Sequence, residues 1–460
     1  MTTAAHAQYE TRLATGKARR EACPRALQAQ CTLNPERDVV AMLRQTSEGR
    51  VASLIPLRYS RMQASPFAFF RGMAMIQAAD LATTPNSGIT LQICGDAHLM
   101  NYGFFASPER QLMFDINDFD ETHPGPWEWD IKRLAVSVVL AARERGFNDA
   151  AARQAVCHLV GTYRRRMQEY AQVSQLDLWY SKVGFEQLLA RAQDDAIRQQ
   201  LLKLAEKARG QTQEKLLPKM TTLADGNLRL RDNPPVIFHM QQQDQVWGDD
   251  DHWLGEGHAH DLLEPMLQHY CDTLKEDRRT LLNRFRLVDA AFKVVGVGSV
   301  GTRCLVMLLQ DDYDQPLFLQ LKEARSSVLE TYTQSCVHGN QGKRVVFGQR
   351  LMQAASDLFL GWTTGPGNRH FYVRQLRDMK AAPSLESFAT AESLTAFGQA
   401  CAWALARAHA KSGGRAAELA GYIGQSDKFD QAIASYAMSY ADQVERDFAV
   451  FTAALTSQQL

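Results

Sequence analysis

The sequence predicts an α+β protein with a large helical lobe and a small antiparallel-sheet lobe. Three observations carry this. Apolar residues recur at helical spacing through residues 127–215 and again through 384–455. Between these stretches, residues 291–297, 301–309 and 316–321 turn apolar and β-branched, bounded by Gly and Asp clusters, as in short antiparallel strands. Two more short strands, 89–94 and 111–114, each run into a loop rich in carboxylate and amide side chains. At 460 residues, 45% hydrophobic and 22% charged, the chain is long enough for two or three structural units of ordinary globular composition.

Residues 1–60 are polar and mixed, with a helix over 39–44 and a break at Pro56, and are assigned to an N-terminal helical extension lying over the core. A mainly helical lobe carrying the acidic loops follows over 61–285. It opens with a helix over 67–76, capped by Ser65 with Pro66 in its first turn and closed by the turn formers Thr84 to Gly88. After Pro124-Gly125-Pro126 a helix is expected over 127–143, with helix-rich sequence to about 215. Residues 220–260 carry Pro234-Pro235, three glutamines at 241–243 and three aspartates at 249–251, which reads as a connector, followed by a helix over 262–285. The β-rich unit spans 286–380 and includes a strand over 371–376 and a helix over 344–360; the C-terminal helices, 397–410 and 429–451 among them, fill 381–460.

Fifty-one basic and fifty-one acidic residues cancel, so no global field favours nucleic acid or an anionic membrane. The eight cysteines are scattered without a CxxC pair, as expected of reduced packing thiols. The first ten residues lack the basic-then-apolar order of a signal peptide and the longest apolar run, near 134–142, is too short to cross a bilayer. A cytoplasmic protein with no membrane or nucleic-acid partner is expected.

The chemistry concentrates in Gly95-Asp96-Ala97-His98-Leu99-Met100-Asn101 and in Phe114-Asp115-Ile116-Asn117-Asp118-Phe119-Asp120-Glu121. Asp and Asn singly are common turn residues. Asp96, His98, Asn101, Asp115 and Asp118 within a short span are a different matter, because like charges on neighbouring loops repel unless a cation or an Arg or Lys partner stabilises them. Asp96 and His98 are the candidate proton-handling residues, and Asn101 with Asp115 or Asp118 supplies the hard oxygen ligands that Mg²⁺ prefers.

Residues 295–303 have GxGxxG spacing through Gly296, Gly298 and Gly301, with Ser299 between them. A dinucleotide-binding version opens a helix. Here a strand follows, then a turn, then a second strand ending in Lys322, the order of a hairpin whose amides close over phosphates while a strand lysine pairs with them. The bland alternative is a tight hairpin without a ligand. His252, His258 and His260 lack the spacing of a metal site, and no GxSxG elbow supports Ser/His/Asp hydrolysis.

Across nearly its whole length, through Ser65-Pro66-Phe67-Ala68-Phe69-Phe70-Arg71-Gly72, the two acidic segments, the glycine stretch, Gly348-Gln349-Arg350 and Tyr372-Val373-Arg374-Gln375-Leu376, the chain resembles a widespread bacterial family known only by a domain-of-unknown-function label. More distantly, Gly95 to Asn101 is similar to the catalytic loop of aminoglycoside and choline phosphotransferases of the protein-kinase-like superfamily. That resemblance implies Asp96 as catalytic base, Asn101 as a magnesium ligand, Asp115 or Asp118 as the metal aspartate, Asp130 as a brace for the loop, and residues 372–376 near an adenine-binding hinge. In those enzymes the glycine loop and lysine precede the catalytic loop, whereas here they follow it, so the resemblance implies a circularly permuted, two-lobe kinase-like fold. The acidic partner of Lys322 is then Glu330 or Asp357.

The expected function is an ATP- and Mg²⁺-dependent phosphotransferase acting on a small-molecule or protein hydroxyl. The alternatives are a nucleotide-binding regulatory protein without turnover and an AMP transferase.

Overall fold

The computed structural model describes residues 3–192, 194–224, 227–239, 259–376 and 379–460. It is a mixed α+β structure whose strands pair antiparallel throughout. His252, His258 and the 241–243 and 249–251 tracts lie outside the described residues.

Two two-stranded ribbons build the acidic segments. Strand β1 (Thr90–Ile93) pairs with β4 (His123–Pro126), and β2 (Tyr102–Ala106) pairs with β3 (Leu112–Ile116). The sequence signals β1 and β3; their partners are short and broken by Gly103 in one and by Pro124, Gly125 and Pro126 in the other, which hides their periodicity. A third ribbon, β5 (Thr221–Ala224) with β6 (Asn227–Leu230), falls where only a connector is expected.

The six-stranded sheet adds β7 (Ile237–Phe238), β8 (Arg286–Lys293), β9 (Cys304–Gln310), β10 (Pro316–Glu323), β11 (Gly361–Gly365) and β12 (Arg369–Gln375), in the order β11-β12-β10-β9-β8-β7. Lys322 stands at its centre, opposite Cys304 on β9 and Tyr372 on β12. Strands β9 and β10 are buried along their whole length, which is why they read as near-continuous apolar runs. The helix expected over 344–360 stops at Met352, so Asp357 lies on the loop leading to β11 rather than on a helix. The helix expected over 262–285 is two, Ala259–Thr273 and Glu276–Leu282.

Helices Glu128–Glu144, Asp149–Tyr170, Ala391–Gly413 and Lys428–Thr456 form the main core, with Trp127, Leu134, Val138, Leu159, Leu405 and Tyr440 buried among them. Residues 39–59 are built into this architecture. Val39, Leu43 and Tyr59 belong to the main core, and Val51 and Leu54 to the core under the sheet. Helix Val39–Ser47 is capped by Asp38, and helix Pro66–Gly72 by Ser65, whose Oγ accepts from Ala68 N at 3.1 Å. No helix among the described residues is long and apolar enough to cross a membrane.

A buried fork ties the N-terminal part to the C-terminal helix. Arg37 Nε donates to Asp80 at 3.1 Å, and its two Nη atoms grip both oxygens of Asp447. Arg37→Ala strands two nearly inaccessible carboxylates and should cost about 3–5 kcal/mol, measured by urea unfolding.

Candidate active-site cleft

Helix Glu128–Glu144 sets the loop after β1. Asp130, Arg133 and Ser137 fall on one helical face and meet that loop in turn. Asp130 accepts from the amides of Cys94 and Gly95 at 2.7 and 2.8 Å, with His409 Nε2 at 3.0 Å behind it. Arg133 Nε reaches Asp96 Oδ1 at 2.6 Å, and Ser137 Oγ accepts from Leu99 N at 2.8 Å. Gly95 is required: its φ is +78°, and a Cβ there would sit 2.4 Å from the Glu121 carbonyl.

Asn101 clips the two acidic loops together. Its Oδ1 accepts from Asp118 N at 2.8 Å, and its Nδ2 donates to the carbonyls of Asp96 and Asp118 at 3.0 and 2.9 Å. Arg344 braces the second loop from the far side, donating to the carbonyls of Asp120, Thr122 and Arg325.

Across the cleft, Lys322 Nζ lies 2.9 Å from Asp118 Oδ2 and makes a second, closer ion pair with Asp120. Tyr372 donates towards both carboxylates, at 2.7 Å to Asp120 and 3.3 Å to Asp118. The partners of Lys322 are therefore Asp118 and Asp120. Glu330 instead accepts from Cys336 N at 2.8 Å, and Asp357 accepts from the amides of Phe359 and Gln375.

The glycine turn forms between β8 and β9, with Gly296 and Gly301 at φ of +70° and +86°. Arg61 donates to the Gly296 carbonyl at 2.6 Å, Arg50 to that of Val300 at 2.7 Å, and Val51 N to that of Gly301 at 2.8 Å. The amides of Gly298 and Ser299 have no protein acceptor among the described residues. Asp96, His98, Asn101, Asp118, Asp120, Gly296, Gly298 and Ser299 line one cleft of about 450 Å³. A larger cavity of about 570 Å³ lies in the helical part, walled by Phe104, Phe388, Phe397 and Trp403, and holds none of these groups.

The two candidate metal aspartates separate. Asp118 faces the cleft with its side chain 39% exposed. Asp115, on the fully buried β3, is 1% exposed and pairs with Arg407 at 2.9 Å, while its second oxygen accepts from Ile116 N. It is a core residue outside the cleft.

Burial alone would raise Asp118, but Lys322 and Arg374 hold it below the usual carboxylate range. Asp120, its neighbour, is raised by burial and by the Asp118 charge. Lys322 is driven well above its ordinary value because the two carboxylates outweigh its desolvation. Asp96 is also opposed by burial, yet the charge and hydrogen bond of Arg133 keep it low, so it stays ionised at neutral pH. Burial takes His98 down to about 3 against the attraction of Asp96, with Arg71 and Arg133 adding to the fall. A neutral His98, 3.8 Å from Asp96 Oδ2, leaves Asp96 as the proton acceptor of the pair.

Magnesium typically takes one or two carboxylates and fills its remaining positions with water and substrate phosphates. Asp118, with Asp120 and the Asn101 oxygen beside it, fits that requirement. Among the described residues no group of three or more His, Cys, Asp or Glu side chains forms a cage that would hold a metal without such help. Arg133, Arg344 and Asp120 are structural parts of the site to which motif reasoning gave no role, and Tyr372, expected near an adenine-binding hinge, instead bonds Asp118 and Asp120. Spacing along the 128–144 helix could have found Arg133, whereas Arg344 and Tyr372 reach the site only through the tertiary fold.

The fold defines an α+β protein with a charged cleft, lined by Asp96, His98, Asp118 and Asp120, set between an antiparallel sheet and a helical core. The chain belongs to the uncharacterized family of proteins conserved in bacteria designated DUF2252, matched over residues 50–454. No curated protein and no solved structure matches it.

Two outcomes test these assignments. Asp115→Ala leaves Arg407 charged and buried and should cost about 3–5 kcal/mol in urea unfolding, whereas Asp118→Asn, which leaves Asp120 paired with the buried Lys322, should cost clearly less. His98, at about 3 when folded against 6.5 for a free side chain, binds its proton preferentially in the unfolded state, so stability falls as pH drops through that window. His98→Asn should recover roughly 3 kcal/mol of the loss between pH 6.5 and 4, read from unfolding curves at the two pH values.

Proposed function

We propose that the protein is an ATP- and Mg²⁺-dependent phosphotransferase with a hydroxyl acceptor, built as a circularly permuted relative of the kinase-like fold. One observation carries the reading. Lys322, 204 residues beyond Asp118 in sequence, is ion-paired with it at 2.9 Å from behind the cleft that Asp118 lines together with Asp96 and the glycine turn. Sequence order separates these groups, and the cleft brings them together as phosphoryl transfer requires.

In this reading Asp96, with Oδ1 held by Arg133, presents Oδ2 to the acceptor hydroxyl and takes its proton as the oxygen attacks the terminal phosphorus. The Gly298 and Ser299 amides and Lys322 hold the phosphates in line, and Asp118 with Asn101 would hold the metal, which supplies neutralisation of phosphate charge. Most of the catalytic effect in such chemistry is positioning and electrostatics, for which a rigidly braced loop is suited.

The test is release of ADP and transfer from ATP with magnesium present. Asp96→Ala should lower turnover by about 10²–10⁴-fold while leaving binding of a non-hydrolysable ATP analogue intact. Lys322→Met should weaken analogue binding itself. A product heavier by AMP would reassign the reaction to nucleotidyl transfer, and nucleotide binding with no turnover in the wild-type protein would make it a regulatory binder.

A further inference from the structure

The cleft is lined by the carboxylates Asp96, Asp118, Asp120, Glu121 and Glu323 and, besides Arg374 and Lys380, by four further cations, Arg50, Arg58, Arg71 and Arg325. None of these four arginines has a carboxylate within ion-pair distance among the described residues. They bond to neutral groups instead. Arg50 Nε donates to the Thr46 carbonyl at 2.7 Å, and Arg325 Nη2 to the Glu48 carbonyl at 2.6 Å. Arg58 donates to Ser47 Oγ, Thr46 Oγ1 and the Gly72 carbonyl at 2.9, 3.0 and 3.2 Å.

Arg71 differs from the other three. It makes no hydrogen bond to a described residue, and its Nε is buried without a partner. It sits where the two halves of the site meet: a Cβ on Gly298 would lie 3.2 Å from the Arg71 carbonyl, and the Arg71 charge acts on both Asp96 and His98. Burial lowers the affinity of Arg50 and Arg58 for their protons, the latter to about 10, and the nearby guanidinium groups push the same way. Glu121 and Glu323 near Arg50, and Asp96 and Glu144 near Arg71, offset part of this, but clustered, desolvated cations without a directly paired carboxylate are costly unless a ligand brings negative charge.

We propose that the acceptor of the transfer reaction is itself a phosphorylated compound, and that Arg71 binds its phosphate beside Asp96, with Arg50, Arg58 and Arg325 supplying the field behind it. Four cations suit a dianionic, multi-oxygen group, and a guanidinium can grip two of its oxygens at once. This rests on the phosphotransferase reading and adds the class of acceptor to it. The other source of such an anion is the nucleotide's own phosphate chain, which has Lys322 and the glycine amides.

Inorganic phosphate, titrated calorimetrically into the full-length protein with and without saturating Mg²⁺ and a non-hydrolysable ATP analogue, separates the two. Phosphate should bind the nucleotide-loaded protein. Arg71→Gln should weaken phosphate at least tenfold, Arg71→Lys should weaken it less, and both should hold the analogue within about twofold of wild type, which also shows that they are folded. If the analogue displaces phosphate, or if Arg71→Gln leaves phosphate affinity unchanged, these arginines do not serve the acceptor and this inference falls while the phosphotransferase reading stands. If the analogue fails to bind the wild-type protein, both fall together.

Discussion

The contact of Lys322 with Asp118 and Asp120 is the constraint on which the cleft depends. An ammonium 2% exposed on the central strand of a sheet cannot be left without counter-charge. Among the described residues the carboxylates that reach it, Asp118 and Asp120, come from the loop after β3. Satisfying that charge therefore fixes the distance between the sheet and the acidic loop, and so fixes where the glycine turn hangs relative to Asp96. Tyr372, which is opposite Lys322 in register on β12, bonds the same two carboxylates and allows the pair little freedom to slide. The pair is also what any cation entering the site must compete with, since Asp118 cannot give both oxygens to a metal while one serves Lys322.

The remaining parts of the site are held by hydrogen bonds from behind. Asp130 sequesters two amides of the loop that carries Asp96, Arg133 orients the carboxylate, and Asn101 stitches that loop to Asp118. A site built this way gains precision from backbone hydrogen bonds rather than from side-chain packing, because each bond fixes a main-chain position on both sides of the cleft. The N-terminal stretch contributes in the same manner. Arg50, Val51 and Arg61 all donate to carbonyls of the glycine turn, which leaves the turn's outward amides free while its backbone is anchored.

Much of this was legible in sequence where the local pattern and the tertiary environment agree. Strands β9, β10 and β12 announce themselves because they are buried on both faces, and Lys322 is visible as the one charge in an apolar strand that ends in Glu323. Strand β11, Gly361–Gly365, has no apolar run and owes its existence to pairing with β12. The N-terminal helix Thr3–Ala22 is weakly amphipathic. It is held by close approach, since a Cβ on Gly16 would meet the Glu418 carbonyl at 1.8 Å and one on Gly421 the Leu13 carbonyl at 2.1 Å, and sequence periodicity does not record such a contact. Arg71 escaped notice for a related reason. It interrupts the apolar run 67–76, and nothing in the local pattern records that it lines the cleft.

Asp115 and Asp118 show how one physical criterion resolves what spacing leaves open. A hydrophobic strand delivering an aspartate suggests a ligand at the strand end, and by that rule Asp115 is favoured. The rule assumes that the strand ends at the aspartate, but β3 continues through Ile116 with every residue buried, so Asp115 is still inside the sheet. An ionised carboxylate at that depth requires a cation of its own, and Arg407, 0% exposed on the helix Ala391–Gly413, provides it. Only after Asn117 does the chain leave the core, and the next carboxylate, Asp118, is the first able to meet a solvated ion. Asp118, although it too has a buried cation in Lys322, keeps its side chain 39% exposed and is the aspartate of the two that the cleft can reach.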